Sequence, residues 1–141
     1  MIGLVIITHG ELAKSFVLSL ELIAGPQQNI ETICIKPDDD MDQQRTNILK
    51  AIKTVDQNKG VILLTDLFGG TPSNLALSIL GLENIEVIGG VNLPMLLKLI
   101  ALRSKLTLQE AVEQAQEAAR KHIHIASSLL VNQNPLEAKA S

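Results

Sequence analysis

The feature that most constrains the fold of this chain is a short apolar run that ends abruptly in an acidic residue. Residues 60–74 read GVILLTDLFGGTPSN. Residues 61–64 have the length of a strand and contain no polar side chain, which is typical of a strand buried on both faces of a parallel sheet. Asp66 follows almost at once. The stretch therefore predicts a buried strand with a carboxylate at its carboxyl end.

The residues after this carboxylate form a loop with almost no side chains. Gly69 and Gly70 are followed by Thr71 and Pro72, which suit the N-cap and the first position of a helix. Ligands of open α/β sheets bind at the carboxyl ends of strands, and the N–H groups at a helix start attract anions. The stretch predicts a phosphate-binding loop, although a plain turn and cap would use the same residues.

The rest of the chain alternates between strand and helix patterns. Apolar runs of strand length at 2–7, 30–35, 60–66 and 85–88 alternate with helical patterns at 9–24, 41–55, 72–80, 93–103 and 107–122. Such alternation predicts βαβ units with right-handed crossovers. We expect a three-layer α/β/α open sheet, mostly parallel, with core order 2-1-3-4 and residues 127–131 as a candidate antiparallel edge strand. Residues 1–131 would form one domain and 132–141 a polar tail.

Most of the predicted helix starts carry recognisable capping residues. Capping boxes are predicted from Thr8 to Glu11 and from Thr107 to Glu110, Asn92 is a predicted N-cap, and Asp38, Asp39 and Asp40 precede the second helix. The three consecutive Asp residues are interpreted as an acidic cap rather than a metal site. The fourth helix is apolar on nearly every face, which indicates a subunit interface.

Composition excludes several classes of protein. The chain has 141 residues, 46% apolar and 1% aromatic, and a net charge of −3. Few aromatics and no basic block argue against a nucleic-acid partner. No apolar run reaches the ~18 residues of a membrane span, and the N-terminus lacks a basic leader. The single cysteine, Cys34, is interpreted as a buried strand position in a reducing compartment. We expect a cytoplasmic protein.

The candidate chemistry lies where two predicted strands end. His9 follows the first strand and Asp66 the third, so adjacent strands would bring them together. A carboxylate that accepts one imidazole N–H leaves the other nitrogen free as a nucleophile. A phosphorylated His9 would then be held by Thr71 and by backbone N–H groups of Gly70 and neighbouring residues. Thr8, Gly69 and Ser73 complete the candidate phosphate-binding set.

The motifs that would supply phosphate from a nucleotide are absent from the sequence. There is no G-x-G-x-x-G after the first strand and no G-x-x-x-x-G-K-[ST]. We therefore expect no cofactor and no metal, and a phosphoryl group supplied by another protein. His122 and His124 have no acidic residue spaced to pair with them, so we expect them to be surface residues.

Three blocks of sequence together resemble a known family. LVIITHG (4–10), GVILLTDLFGGTPSN (60–74) and GGVNLPM (89–95) have the order and spacing seen in the IIA component of the mannose-family phosphoenolpyruvate:sugar phosphotransferase system. The resemblance implies that His9 accepts a phosphoryl group from an HPr-like phosphocarrier protein and passes it to a IIB component. It also implies that Asp66 orients the imidazole, that the protein is a homodimer, and that a membrane permease is involved only indirectly.

Other functions stay open at this point. The phosphoryl-transfer subunit of dihydroxyacetone kinase resembles this fold and also uses an N-terminal histidine. A response-regulator receiver would need an acidic pair after the first strand, where this chain has Thr8 and His9. A non-catalytic anion-binding module would use the glycine loops alone. The sequence does not decide between a role in sugar uptake and one in a regulatory relay.

Overall fold

The computed structural model describes residues 1–133 and shows a parallel sheet covered by helices on both faces. The elements in chain order are β1 (Gly3–His9), α1 (Leu12–Ala24), β2 (Ile30–Ile35), α2 (Met41–Val55), β3 (Val61–Thr65), α3 (Thr71–Leu77), β4 (Ile85–Gly89), α4 (Leu93–Leu102), α5 (Leu108–Lys121) and α6 (Ala126–Gln133). The four strands are all parallel, in the order β2-β1-β3-β4. The predicted three-layer fold and its core order are confirmed.

The core consists of two aliphatic clusters, one on each face of the sheet. Side chains of β1 alternate between them because successive residues of a strand point to opposite faces. Leu4 and Ile6 contact the cluster under α1, α4 and α5, whereas Val5 and Ile7 contact the cluster under α2 and α3. All four are fully buried. Burial on both faces explains why β1 reads as an unbroken apolar run.

Three predicted helix starts are confirmed. The side chain of Asp40 accepts from two backbone N–H groups at the start of α2, and that of Asn92 accepts from the Met95 N–H at the start of α4. Thr107 and Glu110 form the predicted capping box at the start of α5. These caps join residues two or three positions apart, which is why the sequence reveals them.

The other two predicted caps are wrong. Glu11 makes no capping bond; its carboxylate pairs instead with Lys14 and Lys36. The buried hydroxyl of Thr8 accepts from the Ala13 N–H at 2.8 Å, five residues on. The N-cap of α3 is Gly70, not Thr71, because the positive φ of +85° at Gly70 already turns the chain into the helix.

The predicted C-terminal edge strand is also wrong. Residues 127–131 lie in α6, in which the Leu129 N–H donates to the Ile125 carbonyl. A strand needs a neighbouring strand to satisfy its backbone, and within one copy of residues 1–133 the helix satisfies it locally. Of the predicted tail, 132 and 133 belong to α6, and the remainder lies outside the described residues.

Two further interpretations are revised by the way the layers pack. Helix α4 contacts both α1 and α5 and buries Met95, Leu96 and Leu99, so much of its apolar surface is used inside the chain. Cys34 is half-buried rather than buried, because β2 is an edge strand. No helix within the described part of the chain is long and apolar enough to cross a membrane.

A buried arginine joins three segments at the amino-terminal edge of the sheet. Arg103 follows α4, is 3% exposed, and donates to the backbone carbonyls of Ile2, Gln28 and Asn29. Burial lowers the pKa of its guanidinium. Five N–H donors in a planar fork allow one side chain to satisfy several carbonyls. Arg103 thereby connects the start of β1, the α1–β2 loop and the end of α4.

Replacing Arg103 by Met should lower the free energy of unfolding by about 2–4 kcal/mol, because buried carbonyls lose their donors. Urea denaturation at neutral pH measures this change. Lys105→Met removes an exposed cation two residues away and should change stability by no more than about 0.5 kcal/mol. Equal effects of the two substitutions would contradict a structural role for Arg103.

Candidate active site

His9 and Asp66 meet at the carboxyl edge of the sheet, as the sequence predicts. His9 is the last residue of β1, and Asp66 directly follows β3, which pairs with β1. Oδ2 of Asp66 lies 2.9 Å from Nδ1 of His9 and accepts the backbone N–H of His9 at 3.0 Å. One carboxylate oxygen therefore holds both the backbone and the side chain of His9.

This arrangement selects which imidazole nitrogen can react. The Asp66 carboxylate is ionised and can only accept, so we assign the ring proton to Nδ1. Nε2 then carries the lone pair. The side chain of His9 is 52% exposed, whereas that of Asp66 is 11% exposed. The geometry presents an oriented nucleophilic nitrogen to solvent and keeps its carboxylate partner below the surface.

Asp66 stays ionised because hydrogen bonds outweigh its burial. Burial raises the pKa of this carboxyl. Hydrogen bonds from the His9 backbone, the His9 side chain and the Leu67 backbone lower the pKa by more than burial raises it, so the net shift is downward. The Leu67 N–H donates to Oδ1 at 2.9 Å. Both carboxylate oxygens therefore accept hydrogen bonds, which favour the charged form.

Gly70 brings the glycine loop against the free side of the imidazole. A Cβ atom added at Gly70 would lie 3.3 Å from Cε1 and 3.4 Å from Nε2 of His9. The φ of Gly70 is +85°, a conformation that residues with a side chain rarely adopt. Glycine therefore lets the loop approach Nε2 closely while leaving room for an incoming group.

The other predicted phosphate-binding residues differ in accessibility. Gly69, with a φ of +115°, and Thr71 are exposed beside Gly70. Thr8 and Ser73 are fully buried. The Thr8 hydroxyl is engaged with α1, and the Ser73 Oγ has no hydrogen-bond partner among the described residues. Of the predicted set, Gly69, Gly70 and Thr71 are the residues a ligand at Nε2 can approach directly.

Sequence reasoning missed the residues that hold the β3–α3 loop in place. The buried hydroxyl of Thr65 donates to the Leu67 carbonyl at 2.8 Å. Phe68 lies directly over Gly89, the last residue of β4. A threonine at the end of an otherwise apolar strand was the available signal for the first contact. The second joins residues distant in sequence, and no local pattern indicates it.

His122 and His124 lie outside the site, as expected. Both follow α5 and are exposed, with ring centroids 6.1 Å apart. Within residues 1–133 no group of three or more His, Cys, Asp or Glu side chains is arranged to bind a metal ion. Among the described residues, the candidate site therefore consists of His9, Asp66 and the glycine loop.

The fold and this pair of residues define an open α/β protein with a histidine–carboxylate pair at the carboxyl edge of its sheet. Residues 3–116 match the EIIA-man family model, described as PTS system fructose IIA component. The chain belongs to this family, whose members are phosphotransferase components of the sugar phosphotransferase system. The resemblance inferred from the three sequence blocks is thereby confirmed.

Individual relatives and solved structures agree with this assignment. The mannose-specific EIIAB component of Escherichia coli K12 is 34% identical over 124 residues, or 86% of this chain. The fructose-specific EIIA component of Bacillus subtilis is 27% identical over 92% of this chain and 90% of its own length. The crystal structure of EIIA from Streptococcus agalactiae, at 27% identity, has a TM-score of 0.83 and covers 91% of this chain and 99% of its own. This chain spans only 38% of the EIIAB relative.

Proposed function

We propose that this protein carries a phosphoryl group on Nε2 of His9, accepting it from an HPr-like phosphocarrier protein and passing it to a IIB component. One observation carries the proposal. Oδ2 of Asp66 holds Nδ1 and the backbone N–H of His9 at 2.9 and 3.0 Å, which leaves Nε2 free at the surface. Family membership supports the same role.

The proposed reaction moves one phosphoryl group between two imidazoles. The lone pair on Nε2 of His9 attacks phosphorus while the P–N bond to the donor histidine breaks, and the donor nitrogen regains its electron pair. The proton on Nδ1 stays in place, and the Asp66 carboxylate stabilises the positive charge that develops on the ring. Transfer to the IIB histidine is the same step in reverse, so the protein returns unchanged.

The glycine loop would bind the transferred group. We propose that backbone N–H groups of Gly69, Gly70 and Thr71, together with the Thr71 hydroxyl, contact the phosphoryl oxygens. The approach of Gly70 to Nε2 supports this assignment. Thr8 and Ser73, also predicted to bind phosphate, are fully buried, so we propose that they do not contact the phosphoryl oxygens directly; the Thr8 hydroxyl instead accepts the Ala13 N–H of α1.

We further propose that residues 1–131 act as one cytoplasmic domain in a homodimer. The unpaired half-buried Cys34 is consistent with a reducing compartment. Leu18, Leu22 and Ile23 of α1 are 65%, 88% and 60% exposed, and apolar surface of this kind supports association with a second copy.

The test is to map the phosphate chemically. Incubation with phosphoenolpyruvate, enzyme I and HPr should give one phosphoryl group per chain, acid-labile and alkali-stable, located on Nε2 of His9 by 31P and 15N NMR. Omitting HPr is the control and should give no label. Label on Nδ1 or on another residue would overturn the proposed geometry. No label with active donors would favour the dihydroxyacetone-kinase alternative or an anion-binding module.

A further inference from the structure

One polar side chain ends the otherwise apolar strand that leads to Asp66. Thr65 is the last residue of β3, whose sequence is VILLT, and it is fully buried. Its hydroxyl donates to the Leu67 carbonyl at 2.8 Å. Valine has nearly the same shape and would fill the same space without burying a hydroxyl, which costs free energy unless it is hydrogen-bonded. Packing alone therefore does not require a threonine at this position.

The hydrogen bond from Thr65 closes a small ring that contains the backbone of Asp66. The ring runs from Thr65 along the backbone of Asp66 and Leu67 to the Leu67 carbonyl, and returns through the hydroxyl. Closing this ring restricts φ and ψ of Asp66, the two free angles of its backbone, which direct its side chain. The Leu67 N–H, part of the same ring, donates to Oδ1 of Asp66 at 2.9 Å. The ring thus restrains the carboxylate in both direction and rotation.

Thr65 is itself held firmly by the sheet. Its backbone carbonyl accepts hydrogen bonds from the N–H groups of Gly90 and Val91, both at 3.0 Å. The strand that it ends pairs with β1 on one side and with β4 on the other. Because β1 also carries His9, the ring fixes the position of Asp66 relative to the same sheet that positions the imidazole.

We propose that Thr65 is a positioning residue for phosphoryl transfer, whose hydroxyl fixes the loop that presents Asp66 and thereby keeps the ring proton of His9 on Nδ1. The inference rests on the proposed function. Thr65 is fully buried, so it acts only through Asp66, whose Oδ2 lies 2.9 Å from Nδ1. Without the hydroxyl, the loop samples conformations in which this contact is broken. The imidazole then carries its proton on Nε2 for part of the time, and a protonated Nε2 cannot attack phosphorus.

The experiment replaces Thr65 by Val, which removes the hydroxyl and keeps the shape. In the unphosphorylated protein, the ring 15N shifts of His9 should move toward those of the Nε2–H tautomer. In single-turnover transfer from phospho-HPr, the maximal rate should fall by roughly 10-fold, because misplacing a reacting group slows the chemical step. The half-saturating concentration of phospho-HPr should stay within about twofold of the wild-type value. Thr65→Ser restores the donor and should recover most of the rate.

Two further variants separate the hydrogen bond from other effects. Thr65→Ala also lacks the hydroxyl and should show the same change in tautomer and in rate. Thr54→Val is the matched control, because the Thr54 hydroxyl donates to the Lys50 carbonyl within α2. We expect the wild-type tautomer and rate from this control. Thermal unfolding of each variant checks that the fold is retained.

Three results would count against the inference or the function on which it rests. A wild-type tautomer in both Thr65→Val and Thr65→Ala would overturn the positioning role, whatever their rates. A higher half-saturating concentration with an unchanged maximal rate would also overturn it, because the loop would then act on partner binding. Failure of the wild type to accept phosphate from active phospho-HPr would overturn the proposed function. The tautomer is measured without a phosphate donor, so it would still decide whether Thr65 positions Asp66 and His9.

Discussion

A His9→Ala variant is expected to accept no phosphoryl group from phospho-HPr while folding as the wild type does. Removing the imidazole removes Nε2, and no other described side chain occupies that position beside Gly70. The side chain of His9 is about half exposed, and Asp66 keeps two of its three hydrogen bonds, from the backbone N–H groups of residues 9 and 67. We therefore expect a change in stability of no more than about 1 kcal/mol.

The measurement is incorporation of radioactive phosphate from phosphoenolpyruvate through enzyme I and HPr, with thermal unfolding recorded in parallel. His122→Ala is the matched control, since it removes an exposed histidine outside the site and should label as the wild type does. Substantial label on the His9→Ala protein would place the acceptor elsewhere and remove the basis of the mechanism.

An Asp66→Asn variant is expected to slow phosphorylation of His9 by roughly 10²–10⁴-fold, in line with carboxylate-to-amide changes beside other catalytic histidines. Asp66 accepts from His9 through one oxygen and from Leu67 through the other, but Asn has only one oxygen. If the amide NH₂ faces the imidazole, it donates to Nδ1 and leaves the ring proton on Nε2, the nitrogen that must attack. If it faces Leu67, the Leu67 N–H loses its acceptor and the loop after β3 loses a hydrogen bond.

Single-turnover phosphorylation by quenched flow measures the rate, and 15N shifts of the His9 ring report the tautomer. Asp39→Asn is a suitable control because Asp39 also accepts a backbone N–H, that of Lys36, and its other side-chain hydrogen bond comes from Gln44 rather than from the imidazole. We expect wild-type rates from Asp39→Asn. Unchanged rates in Asp66→Asn would mean that its carboxylate neither orients His9 nor stabilises the charged ring.

Much of the fold and the central pair of the site could be predicted because their signals are local. The bounds of β2 and α2 match the predicted ranges 30–35 and 41–55, since apolar periodicity and capping residues lie within a few positions of each helix or strand. The sheet order follows from right-handed crossovers. That order brings the ends of β1 and β3 together, so the sequence predicts that His9 and Asp66 lie side by side.

The C-terminal segment shows where local signals are insufficient. The order of polar and apolar residues in 127–131 fits either a helix or a strand. Which of the two forms depends on whether an unpaired strand edge is available for these residues to pair with. In residues 1–133 the backbone of this segment is satisfied within α6. The start of α3 was misplaced by one residue because Gly70, with a φ of +85°, is the N-cap and Thr71 already belongs to the helix.

The sequence by itself determined the α/β class, the order of the strands and helices from β1 to α5, and the pairing of His9 with Asp66. Only the tertiary structure decided that Arg103 ties the base of the sheet through Ile2, 101 residues away, and that Phe68 is positioned by Gly89. The physical reason is the range of the interactions. Turns, caps and periodicity are set by neighbouring residues. The hydrogen bonds of the buried Arg103 and the contact of Phe68 with Gly89 depend on groups that only the folded chain brings together.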